Sequence, residues 1–285
     1  MTIVPWRIIE EGRDDGVLNM VTDRAVLQAC NQGKAPPTLR LYGWKQPTLS
    51  IGYSQNAALQ VDVARCRDLN IPIVRRPTGG RAVLHDAELT YCVVAPIRHP
   101  RFSGSLRQTF YKISHALMRG LDQLGIRETA INRQSRRGGR QDQTGSPACF
   151  AVCRPFETAV GNGKLIGSAQ RRLHNAFLQH GSVLIDMNRE QLNSLLRFEN
   201  PEASRSHLRV LKRAAVTLNE ICGRTVTFEE ARKAFRDGFS KCFSEGSFRG
   251  ELTAFELELR RRFLDTVDHD DIRTNKVLLK VKDAM

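Results

Sequence analysis

The patterning of this chain changes near residue 205, and that change limits what it can fold into. Before it, short β-prone runs alternate with glycine turns. The runs are Leu39-Arg40-Leu41-Tyr42, Thr48-Leu49-Ser50-Ile51-Gly52, Ile71-Pro72-Ile73-Val74, Ala82-Val83-Leu84-His85 and Thr90-Tyr91-Cys92-Val93-Val94-Ala95. Glu157-Thr158-Ala159-Val160 and Lys164-Leu165-Ile166-Gly167 flank Gly161-Asn162-Gly163, a sequence that favours a tight hairpin. Phe177 to Asp186 reads as a further strand. Helical periods interrupt the strands at 17–32, with Asp23 and Arg24 on the polar side, at Val61 to Leu69, and at 105–124. From about Ser206 onward the character changes to helices: Leu208 to Cys222, a capped segment from Thr227 to Phe243, and Thr253 to Thr266. The pattern predicts an α/β protein, a mixed β-sheet flanked by helices. Residues 1–205 form its core, and 206–285 form a helical C-terminal part that stands beside the core or belongs to it.

Composition narrows the function class. No apolar stretch approaches the roughly 18 residues that a membrane span needs. The opening Met1-Thr2-Ile3-Val4-Pro5-Trp6-Arg7 soon meets Glu10 and Glu11, unlike a secretory signal, so a cytoplasmic protein is expected. Cys30, Cys66, Cys92, Cys149, Cys153, Cys222 and Cys242 are odd in number and scattered, which is no disulfide framework. Cys149 and Cys153 have a metal-like spacing, but no second Cys/His pair follows, so no metal is expected. The 44 Lys and Arg against 30 Asp and Glu leave a net charge of +14, which draws polyanions of either kind, nucleic acid or acidic protein. The arginines are spread over several places rather than gathered in one stripe with interleaved aromatics, which weighs against nucleic acid.

Two residues carry chemistry that the others do not. Cys149 follows a Gly/Arg/Gln-rich segment at 136–147 read as a mobile loop, and Lys164 opens Lys164-Leu165-Ile166-Gly167-Ser168-Ala169-Gln170. A thiol and an amine brought to one pocket suffice to move an acyl group through a thioester. On residue type alone, Cys149 fits a small buried hydrophobe equally well, and Lys164 a solvated strand-end lysine. The run Arg75-Arg76-Pro77-Thr78-Gly79-Gly80 takes a strand into a glycine pair, which suits either a surface hairpin or a close approach to a ligand held by arginine donors.

The longer strings decide between these readings. Arg75-Arg76-Pro77-Thr78-Gly79-Gly80-Arg81-Ala82-Val83-Leu84-His85-Asp86, with Glu88-Leu89-Thr90-Tyr91, resembles the first signature of the lipoate-protein ligase and biotin ligase superfamily. Gly163-Lys164-Leu165-Ile166-Gly167-Ser168-Ala169-Gln170-Arg171, with Leu178-Gln179-His180-Gly181-Ser182-Val183-Leu184, is similar to the second. The resemblance covers about 15–245. Arg81 and Leu84 stand where lipoate ligases carry a third glycine and a tyrosine, and Ser146-Pro147-Ala148-Cys149-Phe150 resembles the nucleophile segment of the cysteine-dependent octanoyltransferases.

This resemblance implies the superfamily's catalytic fold and acyl transfer without ATP or another cofactor. Octanoate would pass from acyl carrier protein to Cys149, then to a lysine of a lipoyl domain such as that of the glycine cleavage H protein. Lys164 would favour the thiolate, bind the acyl carbonyl and accept the proton of the incoming amine. The resemblance makes Arg75, Arg76, Thr78, Gly79, Gly80, His85, Gly167, Ser168, Ala169 and His180 substrate-binding candidates, with Gly79 and Gly80 in the pocket wall. His85 beside Asp86 fits a structural pair as well as a substrate contact, and His180 a structural or pocket-lining role. Ser168 and Gln170 are expected to shape the loop after Lys164. A monomer with acidic protein partners is expected, without nucleic acid or membrane. An ATP-dependent lipoate ligase, an octanoyl exchanger between lipoyl domains and a non-catalytic basic binding module are the alternatives.

Overall fold

The computed structural model describes residues 5–127, 129–131, 150, 158–161, 163–243 and 246–267. Cys149, Cys153, the 136–147 segment and the tail beyond 267 lie outside the described residues. In chain order the elements are β1 (Arg7–Asp14), α1 (Gly16–Asn31), β2 (Thr38–Trp44), β3 (Thr48–Ile51), α2 (Ala57–Gln60), α3 (Val63–Asp68), β4 (Ile73–Arg75), β5 (Val83–His85), β6 (Glu88–Pro96) and α4 (Leu106–Gln123). They continue with β7 (Thr129–Ile131), β8 (Thr158–Val160), β9 (Gly163–Arg172), β10 (Ala176–Leu184), α5 (Arg189–Ser194), α6 (Pro201–Ala214), α7 (Leu218–Cys222), α8 (Phe228–Phe243), β11 (Phe248–Arg249) and α9 (Ala254–Asp265).

The strands form two sheets rather than one. The large mixed sheet runs β11-β1-β2-β6-β10-β9-β8-β7 among the described residues, and the small one runs β4-β3-β5. β1 is parallel to β2 and β11, whereas β2, β6, β10 and β9 are antiparallel in turn. Leu41, Tyr91, Val93, Ile166 and Val183 belong to the same buried cluster as Ile113, Leu117 and Leu121 of α4 and Phe235 and Phe239 of α8. Gly238 of α8 sits against the backbone of Gly120 of α4. A Cβ there would lie 2.3 Å from the Gly120 nitrogen, so the two helices touch main chain to main chain. The approach seals Phe235, whose complete burial contributes about 1.5–3 kcal/mol.

The C-terminal helices are tied to the N-terminal strands. Arg7 of β1 donates through both terminal nitrogens to Glu256 of α9, at 2.7 and 2.5 Å, and the pair is fully buried. Removing one partner of such a pair costs about 3–5 kcal/mol, because the other charge stays buried. Glu256 also closes the α9 capping box with Thr253.

Two helix readings change. The periodic stretch from Leu208 to Cys222 is two helices, because Ala215 is extended and bridges to Lys164 and Thr217 then caps α7 with Glu220. Helices also begin before 206: Asn188 caps α5, and Asn200 caps α6 with Pro201 in its first turn. Among the described residues no helix is long and apolar enough to cross a membrane.

Candidate active site

Antiparallel register lays a row of small side chains across the large sheet. Tyr42 pairs with Thr90, Thr90 with Ser182, and Ser182 with Gly167. The next row on the same face runs Arg40, Cys92, His180, Ala169. Gly167 and Ala169 leave one end of this strip low, while the rings of Tyr42 and Trp44 raise the other. The small sheet lies over the strip and contributes Val83 and His85, with Arg76 from just beyond β4. Met20 of α1 and Phe150 close the sides of a cavity of about 410 Å³, its open mouth included. That is within the range of about 300–1,000 Å³ typical of small-molecule sites.

The polar groups of this cavity are committed to one another. His85 Nδ1 donates to Glu88 Oε1 at 2.9 Å, and Ser50 Oγ donates to its Nε2 at 2.7 Å. Arg76 donates to Ser50 Oγ and to the carbonyls of Ser50, Gly79 and Arg81. The His85 ring stacks on Trp44 with centroids 4.0 Å apart. Trp44 Nε1 in turn donates to Thr90 Oγ1 and Glu88 Oε1.

His180 repeats the arrangement. Its Nδ1 donates to Asp23 Oδ2 at 2.9 Å, and Thr78 Oγ1 donates to its Nε2 at 2.7 Å. Burial holds His180 below its ordinary value, so the ring is neutral, which fits this tautomer. Asp23 is held low: burial alone would raise it, but the hydrogen bond from His180 and the charge of Arg40, 2.8 Å away, prevail. Both ring nitrogens of both histidines are therefore used within the protein. Neither histidine leaves a ring nitrogen over for a ligand, and the wall suits an apolar chain.

A pH dependence of stability follows. The unfolded chain protonates His180 near its ordinary 6.5, and the folded chain holds out to lower pH, so stability falls as pH drops below about 6.5. His207, also held low by burial, adds to the fall, while the Asp23 contribution is lost only below its ordinary 3.8. His180→Asn keeps a donor for Asp23 but cannot titrate. The decline in Tm from neutral pH to about pH 5 should be shallower in this variant than in wild type. Parallel declines would contradict the assignment.

Lys164 is completely buried. Its ammonium lies 5.1 Å from the centroid of the Phe150 ring, and its Cε lies 3.3 Å from where a Cβ on Gly167 would stand. Burying a lysine this completely takes its charge out of water, a desolvation that a solvated strand-end lysine would avoid. The backbone holds it from two sides: Lys164 pairs with Ala159 of β8, and its carbonyl accepts from the Val216 nitrogen at 3.2 Å. Gly181 lets the strands close here, since a Cβ on it would meet the Gly167 oxygen at 2.2 Å.

Of the residues singled out from sequence, Arg76, His85, Gly167, Ser168, Ala169 and His180 line the cavity. Thr78 stands behind the wall, holding His180. Arg75 points away and donates to the carbonyls of Gly52, Tyr53 and Gln55. Gly79 and Gly80 are exposed in a turn that Arg76 ties down, not in the cavity wall, and Gly80 has a φ of +103°. Ser168 and Gln170 lie within β9 rather than in a loop; Ser168 bonds the Tyr91 hydroxyl and Gln170 bonds Gln179. Cys149 lies outside the described residues, but Phe150, which follows it in the chain, lines the cavity beside Lys164.

Sequence reasoning missed Met20, Tyr42, Trp44, Val83, Thr90, Gly181 and Ser182 as lining residues, and it placed Asp23 on a polar helix face. Asp23 is fully buried, and its partners Arg40, Tyr42 and His180 are distant in sequence, which helical periodicity cannot reveal. Among the described residues no group of three or more His, Cys, Asp or Glu is placed to hold a metal. Burial raises the thiols of Cys30 and Cys66 to about 12, and those of Cys92 and Cys242 upward as well, which disarms all four as nucleophiles.

Residues 15–240 match the family described as the lipoyl protein ligase A/B catalytic domain. Over 91% of its length the chain is 39% identical to octanoyltransferase LipM of Kyrpidia tusciae and 38% identical to that of Carboxydothermus hydrogenoformans, covering 94% of each. Among solved structures, a bipartite lipoate protein ligase from Thermoplasma acidophilum superposes with a TM-score of 0.80, over 98% of this chain and all of that one. At 19% identity, that likeness concerns the fold alone.

Proposed function

The chain belongs to the lipoyl protein ligase A/B catalytic-domain family as an octanoyltransferase of protein lipoylation, and we propose that it works through a thioester on Cys149. Its acceptor is a lipoyl-domain protein, and the donor we propose is octanoyl acyl carrier protein. The Cys149 thiolate attacks the donor's thioester carbonyl; the new C–S bond forms as the carrier's sulfur leaves and takes up a proton. The acceptor's lysine amine then attacks the Cys149 thioester, forms the amide, gives up a proton and returns the thiolate. Lys164 hydrogen-bonds the acyl oxygen in both steps and passes the proton. The thioester arrives already activated, so no nucleotide is needed.

One observation carries this reading. A cavity whose histidines and arginine are bonded within the protein runs from Trp44 and Tyr42 to Gly167 and Phe150, beside which lies the buried Lys164. Three strand spacings separate β9 from β2, about 14 Å, which is ample for an extended eight-carbon chain entering beside Gly167. The decisive assay mixes the protein, octanoyl acyl carrier protein and a lipoyl domain without ATP. The lipoyl domain should gain one octanoyl group. Modification only with ATP and free octanoate would refute the reading.

We place the methyl end of the acyl chain at Met20, Tyr42 and Trp44. Met20 packs in one buried cluster with Tyr42 and Trp44. Met20→Ala should therefore raise turnover of decanoyl relative to octanoyl donors several-fold, because the vacated volume takes the extra methylenes at about 0.8 kcal/mol each. An unchanged preference would show that the chain does not reach Met20.

A further inference from the structure

Helix α6 carries Arg205, Arg209 and Arg213 at four-residue intervals, so all three lie along one exposed face. Among the described residues, none of the three guanidinium groups has an ion pair or a hydrogen bond. On α8 and α9 several arginines have carboxylates set beside them: Arg232 with Glu229, Arg236 with Glu10 and Asp237, and Arg261 and Arg262 with Glu258. On α6 the residue four away from each arginine is another arginine, a spacing that destabilises an isolated helix. Even the neighbouring Lys212 pairs with Glu190 and leaves the stripe alone. Val210, 44% exposed, lies between Arg209 and Arg213 and adds an apolar spot.

The stripe leads to the reaction centre. Two residues past Arg213, Ala215 bridges to Lys164, and the next nitrogen, that of Val216, donates to the Lys164 carbonyl. Midway along α6, His207 is held by Asn193 and feels the charge of Arg81, which extends from the turn that Arg76 ties to the cavity. The helix that carries the arginines thus ends just before the segment bonded to the Lys164 backbone, and its His207 lies within reach of the charge of Arg81.

We propose that this face of α6 is the docking rail for the acyl donor, an acidic helix of the carrier protein laying one carboxylate against each arginine. The proposal rests on the octanoyl-transfer reading. One arginine per four helical residues is a rise of about 6 Å, so a partner helix with carboxylates at the same interval pairs with all three in turn. Contacts of this kind speed encounter and weaken with salt, which suits a carrier that must leave after each acyl group is handed over.

The test is the triple variant Arg205→Glu, Arg209→Glu, Arg213→Glu, with the corresponding triple Gln variant as a milder form and a thermal melt to check folding. Each is assayed for acylation by octanoyl acyl carrier protein, for acylation by octanoyl-coenzyme A, and for transfer from the pre-acylated enzyme to a lipoyl domain. The Glu variant should lose at least about tenfold in kcat/KM with the carrier, through KM, and should lose its salt dependence; the Gln variant should fall between. Acylation by octanoyl-coenzyme A and transfer to the lipoyl domain should be unchanged. Unchanged kinetics with the carrier would overturn the proposal. So would equal losses with both donors, a loss confined to the lipoyl-domain step, or a loss only of salt-sensitive nucleic-acid binding. If wild type accepts octanoate from neither donor, the transfer reading itself fails and the docking rail fails with it.

Discussion

Lys164→Met should lower kcat/KM for octanoyl transfer by about 10²–10⁴-fold while leaving the far-UV circular dichroism and the melting temperature nearly unchanged. Methionine keeps the long apolar stem that packs beside Gly167 and Phe150 and removes only the ammonium. Because the same group serves both steps, acylation from the carrier and transfer to the lipoyl domain should both slow. Lys164→Arg should fare little better. The larger planar head has no room in a fully buried site, and its charge is fixed, so it cannot accept a proton. If the Met variant turns over near the wild-type rate, Lys164 is a packing residue and the mechanism loses its proton carrier.

Gly167→Val should cost about 10²-fold in kcat/KM. A Cβ at this position would stand 2.9 Å from the Phe150 ring and 3.3 Å from Lys164 Cε. The ring must swing aside, and the new methyls then occupy the entrance between the lysine and the acyl cavity. Overpacking of this kind destabilises by about 1–3 kcal/mol, so the variant should fold. Gly167→Ala should show a smaller loss in the same direction. Normal activity in the Val variant would mean that the acyl chain does not enter beside Gly167.

Much of the architecture was legible because it is local. Alternation marked β2 and β3, β-prone residues marked β6, the Gly161–Gly163 turn marked the β8–β9 hairpin, and the period of Phe110, Ile113, Leu117 and Leu121 marked α4. What was not legible depends on residues far apart in the chain. The division into two sheets follows from β3 pairing with β4 and β5 rather than with the large sheet. The break at Ala215 exists because Lys164 needs a partner for its backbone, and no window around 208–222 contains Lys164. The Thr217-Glu220 capping box was the one local sign of that break.

The same distinction runs through the site. The two long motifs supplied Arg76, His85, Gly167, Ser168, Ala169 and His180, all of which meet at the cavity. Met20, Tyr42 and Trp44 line the far side of the cavity, and their apolar character looked like ordinary core. The edge drawn at residue 205 has the same origin. Leu211, Leu218, Phe235 and Phe239 share a buried cluster with Leu41 and Tyr91, and we propose that the strands and the later helices unfold as one unit.

The central claim is the covalent intermediate on Cys149, and intact-mass spectrometry tests it most directly. Wild-type protein incubated with octanoyl acyl carrier protein, without acceptor and without ATP, should gain the mass of one octanoyl group. Hydroxylamine should remove that mass, a lipoyl domain should discharge it, and Cys149→Ser should never acquire it as a thioester. A Cys149→Ala protein that still modifies the lipoyl domain at the wild-type rate would contradict the account.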